Sequence, residues 1–166
     1  MYRRSILNYD WLGLSVKDRN SVSAGSAGYE YLIITAGQYA PHLEPLVAWK
    51  NSIGLRTEVV PISRVGADTA AIRNFIANEY FNNGIEYVLL VGNESEIPGY
   101  EEYRTESRED TIFCDYYYSV IDGDDDFADL AIVRFSVENS DQVANLVNKT
   151  ISYESNPVRG DWLDNV

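Results

Sequence analysis

The stretch Tyr87-Val-Leu-Leu-Val-Gly92 is an unbroken apolar run of five residues that is closed by a glycine. A short run of this kind, without alternating polar positions, is typical of a strand that is covered on both faces. Similar runs occur at residues 31–35 and 130–134, and the stretch 56–61, which is closed by proline, is predicted to form a further strand. Strands buried on both faces predict a parallel sheet that lies between two layers of helices.

Helical patterns alternate with these strands. Their inward positions recur at intervals of three and four, in the sets Leu43, Leu46, Val47, Lys50 and Ile53, then Ile72, Phe75, Ile76 and Tyr80, then Val143, Leu146, Val147, Thr150 and Ile151. The aliphatic stem of Lys50 completes the apolar stripe of the first helix. Asp68 is predicted to cap the second helix and Ser140 or Asn139 the third, because short polar side chains accept hydrogen bonds from free helix amides. Right-handed crossovers favour the strand order 2-1-3-4. The sequence thus predicts a three-layer α/β fold.

The first 28 residues differ in composition from the rest of the chain. Residues 20–28 read Asn-Ser-Val-Ser-Ala-Gly-Ser-Ala-Gly, which is the composition of a flexible linker. We therefore predict an N-terminal arm and linker over residues 1–28 and one α/β subdomain over residues 29–166. The total of 166 residues fits a single domain.

The net charge of −13 is concentrated in the insert between the third and fourth strands. Residues 93–129 contain thirteen acidic side chains and two arginines, so most of the excess negative charge lies there. Such a chain repels nucleic acid and anionic lipid, and no apolar run approaches the roughly 18 residues of a membrane span. The sequence predicts neither nucleic acid nor membrane as a partner, and its first residues lack the apolar stretch of a secretory signal.

The segment Asp122-Gly-Asp-Asp-Asp-Phe-Ala-Asp129 is the densest group of carboxylates. Oxygen-rich loops of this kind suit calcium, and they predict a weak calcium site formed by Asp122, Asp124, Asp126 and Asp129. The loop is not an EF-hand, because Phe127 replaces the turning glycine and Val133 the bidentate glutamate. The alternative interpretation is a solvated acidic turn that leads into the fourth strand.

The chain contains one histidine, His42, and one cysteine, Cys114. A nucleophilic thiol needs a base beside it, but His42 opens a helix between Pro41 and Leu43, and Cys114 lies in an apolar context. The residues that follow Thr35 lack the glycine spacing of a nucleotide loop. We therefore predict no catalytic side chain and no cofactor-binding side chain in this chain.

Tyrosines give the insert an aromatic character. Tyr100, Tyr103 and the run Tyr116–Tyr118 are typical of a surface that contacts protein or peptide. The alternative is that alternate members of the run pack as a short strand, which is the interpretation favoured for at least half of these tyrosines.

Short motifs along the chain together resemble the N-terminal part of the gingipain-type cysteine peptidases, family C25, over residues 29–163. The motifs include Tyr31-Leu-Ile-Ile-Thr35, Leu46-Val-Ala-Trp-Lys50, Gly54-Leu-Arg-Thr-Glu-Val-Val60, Tyr87-Val-Leu-Leu-Val-Gly92, Asp122-Gly-Asp-Asp-Asp-Phe-Ala-Asp129 and Asn148-Lys-Thr-Ile-Ser-Tyr-Glu-Ser-Asn-Pro157. Each motif is short, and their common order along the chain carries the resemblance.

The resemblance implies a caspase-like catalytic unit of two α/β subdomains, of which this chain is similar to the first. Members of the family are secreted or surface endopeptidases, some bind calcium, and their catalytic histidine and cysteine lie on the second subdomain. The implied partners are a C-terminal catalytic subdomain of the same precursor and a protein or peptide substrate. The alternative is a stand-alone acidic module that binds protein in a calcium-dependent way.

Overall fold

The computed structural model describes residues 28–103, 111–157 and 160. Its strands are β1 Tyr31–Thr35, β2 Thr57–Pro61, β3 Tyr87–Val91, β4 Tyr100–Tyr103, β5 Thr111–Cys114 and β6 Ala131–Phe135. Four of them form a parallel sheet in the order β2-β1-β3-β6. Since β6 is the fourth strand of this sheet along the chain, the predicted order 2-1-3-4 is confirmed.

The helices alternate with the strands of this sheet as predicted. They are α1 Glu44–Ser52, α2 Ile62–Val65, α3 Thr69–Asn83 and α4 Ser140–Ser155, and short 3-10 helices span Gly37–Leu43 and Tyr116–Tyr118. The Asp68 side chain caps α3 by accepting a hydrogen bond from the Ala71 amide at 2.8 Å. Asn139, one of two predicted candidates, caps α4 through the Gln142 amide at 3.0 Å.

Helices cover both faces of the sheet. Successive side chains of a strand point to opposite faces, so neighbouring residues of β1 contact different helices. Leu32 and Ile34 of β1 pack with α3, and this side is called the α3 face. Ile33 packs with α1 and α4, and this side is called the α1–α4 face. The three-layer architecture expected from the sequence is confirmed.

The insert between β3 and β6 has its own structure. Its strands β4 and β5 form an antiparallel pair in which Tyr100 lies opposite Cys114. The predicted strand over Tyr116–Tyr118 is wrong, since these residues form a 3-10 helix. A strand would place Tyr116 and Tyr118 on one side, whereas the helix leaves Tyr116 47% exposed and buries Tyr118 completely.

The predicted arm and linker lie outside the described residues, except for Gly28. This glycine is buried against the end of α3, where a Cβ atom would lie 2.8 Å from the carbonyl oxygen of Asn83. Close packing therefore begins one residue before the predicted start of the subdomain at Tyr29. In the part of the chain that the structure describes, no helix is long and apolar enough to cross a membrane.

Candidate functional site

The candidate site lies at the carboxyl edge of the parallel sheet. Thr35, Pro61 and Phe135 end their strands at this edge, and Gly92 follows the end of β3 there. The acidic insert leaves the sheet after β3 and returns to it through β6. In open parallel sheets, ligands bind where strands end and loops converge, so this edge is the place to look for function.

Arg134 of β6 connects the insert to the sheet through hydrogen bonds and an ion pair. Its Nε and Nη2 donate to the two carboxylate oxygens of Asp115 at 2.8 and 2.6 Å. Its Nη1 donates to the carbonyl oxygens of Ile97 at 2.8 Å and Gly92 at 3.2 Å. The Arg134 and Asp115 side chains are 12% and 24% exposed, so the pair is shielded from water. One guanidinium thereby joins the end of β3, the loop after it and the segment after β5.

Tyr118 fixes the same loop from the α3 face. Its ring is completely buried, and its hydroxyl donates to the carbonyl oxygen of Pro98 at 2.5 Å. Burial raises the pKa of the Tyr118 phenol well above its ordinary value, and the nearby carboxylate of Asp115 adds to the rise. The phenol is therefore neutral and able to donate throughout the physiological pH range.

The acidic loop is held by interactions with the backbone. Asp129 Oδ2 accepts from the amides of Ile121 at 2.7 Å and Asp122 at 2.8 Å. Arg73 Nη2 of α3 donates to the carbonyl oxygen of Val120 at 2.6 Å. Asp129 thus closes the loop for which the sequence predicts either a weak calcium site or a solvated acidic turn.

Calcium binding by Asp122, Asp124, Asp126 and Asp129 stays a prediction. Within residues 28–103 and 111–157, no three side chains of aspartate, glutamate, histidine or cysteine are grouped so that they could hold a metal ion. Calcium would therefore have to draw the loop carboxylates together as it bound.

We expect millimolar calcium to raise the thermal midpoint of unfolding by about 2–4 °C, because a ligand that binds only the folded state stabilises it. Asp122→Ala should abolish the rise, whereas Glu138→Gln, which removes an exposed carboxylate elsewhere, should preserve it. Differential scanning fluorimetry with calcium or magnesium measures the shift. An unchanged midpoint in the unsubstituted chain would contradict the prediction.

The structure does not bring His42 and Cys114 together. His42 is exposed on the 3-10 helix Gly37–Leu43, which packs on the α1–α4 face through Tyr39 and Leu43. Cys114 ends β5 opposite Tyr100, whose ring stacks on Tyr117 of the α3 face. The two residues therefore belong to segments that pack on different faces of the sheet, which leaves the thiol without an imidazole base.

A groove of about 700 Å³ opens between the start of α3 and the insert. Its walls are formed by Ala67, Asp68, Thr69, Glu94, Ser95, Pro98, Gly99, Tyr100, Glu101 and Phe113. Sequence reasoning did not find this groove, because three separate segments supply its lining. The one signal in the sequence was the high density of acids and tyrosines in the insert.

The fold and this edge define an α/β subdomain whose histidine and cysteine lie on segments that pack on different faces of the sheet. The sequence model of Peptidase family C25 matches residues 25–166, and the chain belongs to that family. This membership confirms the resemblance seen in the ordered motifs, and the chain is a region of a gingipain-like cysteine peptidase.

Individual relatives agree with this family. The chain is 30% identical over 167 residues to Gingipain R1 of Porphyromonas gingivalis. The aligned region makes up 98% of this chain but only 16% of that protein. The crystal structure of the Arg-specific cysteine proteinase gingipain R (RgpB) matches with a TM-score of 0.66 and 32% identity, over 78% of this chain and 29% of that one. A complex of the RgpB pro- and mature domains from Porphyromonas gingivalis matches with the same TM-score and 33% identity, over 75% of this chain and 29% of the other.

Proposed function

We propose that this chain is the non-catalytic N-terminal subdomain of a secreted gingipain-like cysteine endopeptidase. It scaffolds a C-terminal catalytic subdomain of the same precursor, which supplies the nucleophile and the base and cleaves protein or peptide. Secretion is part of the proposal and rests on the family resemblance.

The separation of His42 from Cys114 carries the proposal. A cysteine peptidase needs a thiolate, a base within hydrogen-bond reach of it and an oxyanion site. The chain has one cysteine and one histidine, and they lie on segments packed against different faces of the sheet. Membership in a peptidase family together with this separation favours a supporting role for the chain.

The exposed edge of the sheet supports the scaffolding role. Val133 of β6 is 57% exposed, although it lies beside the buried Leu89 of β3 in the same sheet. The helix after β6, α4, packs on α1 and on the 3-10 helix Gly37–Leu43, and Phe135 of β6 packs against the same cluster, but Val133 stays exposed. Parallel strands are normally covered on both faces, and β6 therefore offers an apolar surface for a second subdomain.

The test compares the 166-residue chain with the longer protein encoded by the same gene, using a library of fluorogenic peptides. We expect no turnover by the chain alone and clear hydrolysis by the longer protein. Cys114→Ala in the longer protein should keep this activity, because the thiol of Cys114 takes no part in the chemistry. A thiol-reactive active-site probe should label the longer protein equally with and without Cys114.

Two results would contradict the proposal. Turnover by the 166-residue chain that disappears in Cys114→Ala would place the nucleophile in this chain. A reading frame that stops after Val166 would favour the stand-alone acidic binding module instead.

A further inference from the structure

We propose that β6 couples two parts of the molecule, which are the surface that receives the second subdomain and the loop of residues 93–98 at the carboxyl edge of the sheet. Docking of the second subdomain fixes β6, and β6 in turn immobilises the loop through Arg134, which is thus a positioning residue. This inference rests on the proposed function, because it assigns a consequence to the docking of the catalytic subdomain.

Two neighbouring residues of β6 point to opposite faces of the sheet. Val133 lies beside Leu89 on the α1–α4 face and is 57% exposed. Arg134 lies beside Leu90 on the α3 face, where its guanidinium binds the Asp115 carboxylate of the insert. Since the two residues share one extended stretch of backbone, a group that packs on Val133 also restrains Arg134.

The strand β6 is the part of the sheet that gains most from being covered. In the part of the chain that the structure describes, β6 pairs with one strand only, β3. Ala131 and Val133 are exposed, so the α1–α4 face of β6 is covered only at Phe135. Strands with few buried apolar contacts open locally more often than strands in the centre of a core. We therefore expect β6 to open more often than β1 and β3 in this chain alone.

The loop of residues 93–98 belongs to no strand or helix, and side chains from other segments hold it. Arg134 Nη1 donates to the carbonyl oxygen of Ile97 at 2.8 Å. The Tyr118 hydroxyl donates to the carbonyl oxygen of Pro98 at 2.5 Å. Tyr118 belongs to the insert itself, whereas Arg134 belongs to the strand that the second subdomain covers. Opening of β6 therefore releases the loop on one side.

Amides inside the loop report how firmly it is held. The amides of Glu96 and Ile97 donate to the carbonyl oxygen of Asn93 at 3.1 and 2.9 Å. Hydrogen exchange at these two amides requires the loop to open, so the rate of exchange measures the stability of the closed loop.

Hydrogen exchange followed by mass spectrometry compares the 166-residue chain with the longer protein encoded by the same gene. We expect residues 93–98 and β6 to exchange about ten-fold more slowly in the longer protein, a factor typical of coupling between two sites. Val133→Asp in the longer protein should remove both differences, because a buried unpaired charge opposes docking. The same substitution in the 166-residue chain, where this side of β6 is exposed, should leave exchange of the loop unchanged.

Arg134→Lys in the longer protein separates coupling through β6 from direct contact between the second subdomain and the loop. Lysine keeps the charge but lacks the planar fork that binds Asp115 and the carbonyl oxygen of Ile97 together. We expect the loop of this variant to exchange as fast as in the 166-residue chain, while β6 stays slow. Asp115→Asn should have the same effect, whereas Arg56→Ala, at the opposite edge of the sheet, should change neither segment. Circular dichroism confirms that each variant is folded.

Two results would overturn the inference. One is equal exchange of the loop or of β6 in the 166-residue chain and the longer protein. The other is slow exchange of the loop that persists in Arg134→Lys, because the second subdomain would then hold the loop directly. Either result leaves the proposed function intact if the longer protein hydrolyses peptides, whereas a longer protein without turnover contradicts the proposed function itself.

Discussion

Replacing Arg134 with alanine is expected to lower the free energy of unfolding by about 3 kcal/mol, which is the typical cost of breaking a shielded ion pair on one side. The change leaves the Asp115 carboxylate without its countercharge in a site that is mostly protected from water. It also removes the donor to the carbonyl oxygens of Gly92 and Ile97. Urea denaturation followed by tryptophan fluorescence measures the loss.

A second arginine pair in the same protein provides the matched control. Arg56 makes a bidentate contact with Glu30, and its hydrogen bonds lower the pKa of the Glu30 carboxyl. The Arg56 side chain is 53% exposed, so water already screens the pair. Arg56→Ala should therefore cost much less than Arg134→Ala. Equal losses in the two variants would contradict the role assigned to Arg134.

Replacing Tyr118 with alanine is expected to lower the free energy of unfolding by about 4 kcal/mol, because truncating a fully buried aromatic ring leaves a cavity in the core. The ring has no exposed surface and packs in the cluster that includes Leu130 and Ile97. Denaturant unfolding again gives the measurement.

Tyr118→Phe separates the packing of the ring from the hydrogen bond of its hydroxyl. The phenylalanine keeps the ring but leaves the carbonyl oxygen of Pro98 without this donor, so the expected cost is about 1 kcal/mol. If Tyr118→Phe were as damaging as Tyr118→Ala, the hydrogen bond rather than the ring would hold the loop after β3.

The architecture was predictable because its signals are local. The apolar runs at β1 and β3 mark strands that are buried on both faces. Asp68 and Asn139 cap helices through amides three residues later in the chain. The strand order followed from the handedness of crossovers, which is a property of all L-polypeptides.

The candidate site was less predictable, because distant parts of the chain form it. The sequence placed Tyr118 in a strand, but the structure buries its ring in the core and directs its hydroxyl to the carbonyl oxygen of Pro98, twenty positions earlier. It proposed Asp129 as a calcium ligand, but it could not show that this carboxylate accepts hydrogen bonds from the amides of Ile121 and Asp122. Both cases depend on the direction in which a side chain points within an irregular loop, and periodicity carries no information about that direction.

Lys50 illustrates within one side chain what the local sequence pattern predicts and what only the tertiary structure shows. The helical pattern predicts that the stem of Lys50 completes the apolar stripe of the first helix, and the residue is buried. Its Nζ lies 2.6 Å from Glu154 Oε1 and 5.2 Å from the centroid of the Tyr31 ring. No local pattern could identify Glu154, which lies 104 positions away on α4.

The sequence by itself determined the layers, the order of the strands, the helix caps and the family, because these depend on residues that are close in the chain or on the order of short motifs. Only the tertiary structure decided that His42 and Cys114 lie apart, that Arg134 fastens the insert, and that an acidic groove opens beside it. These features need side chains from separate segments to meet or to be kept apart. Their positions follow from how the whole sheet and its helices pack, which no short stretch of sequence specifies.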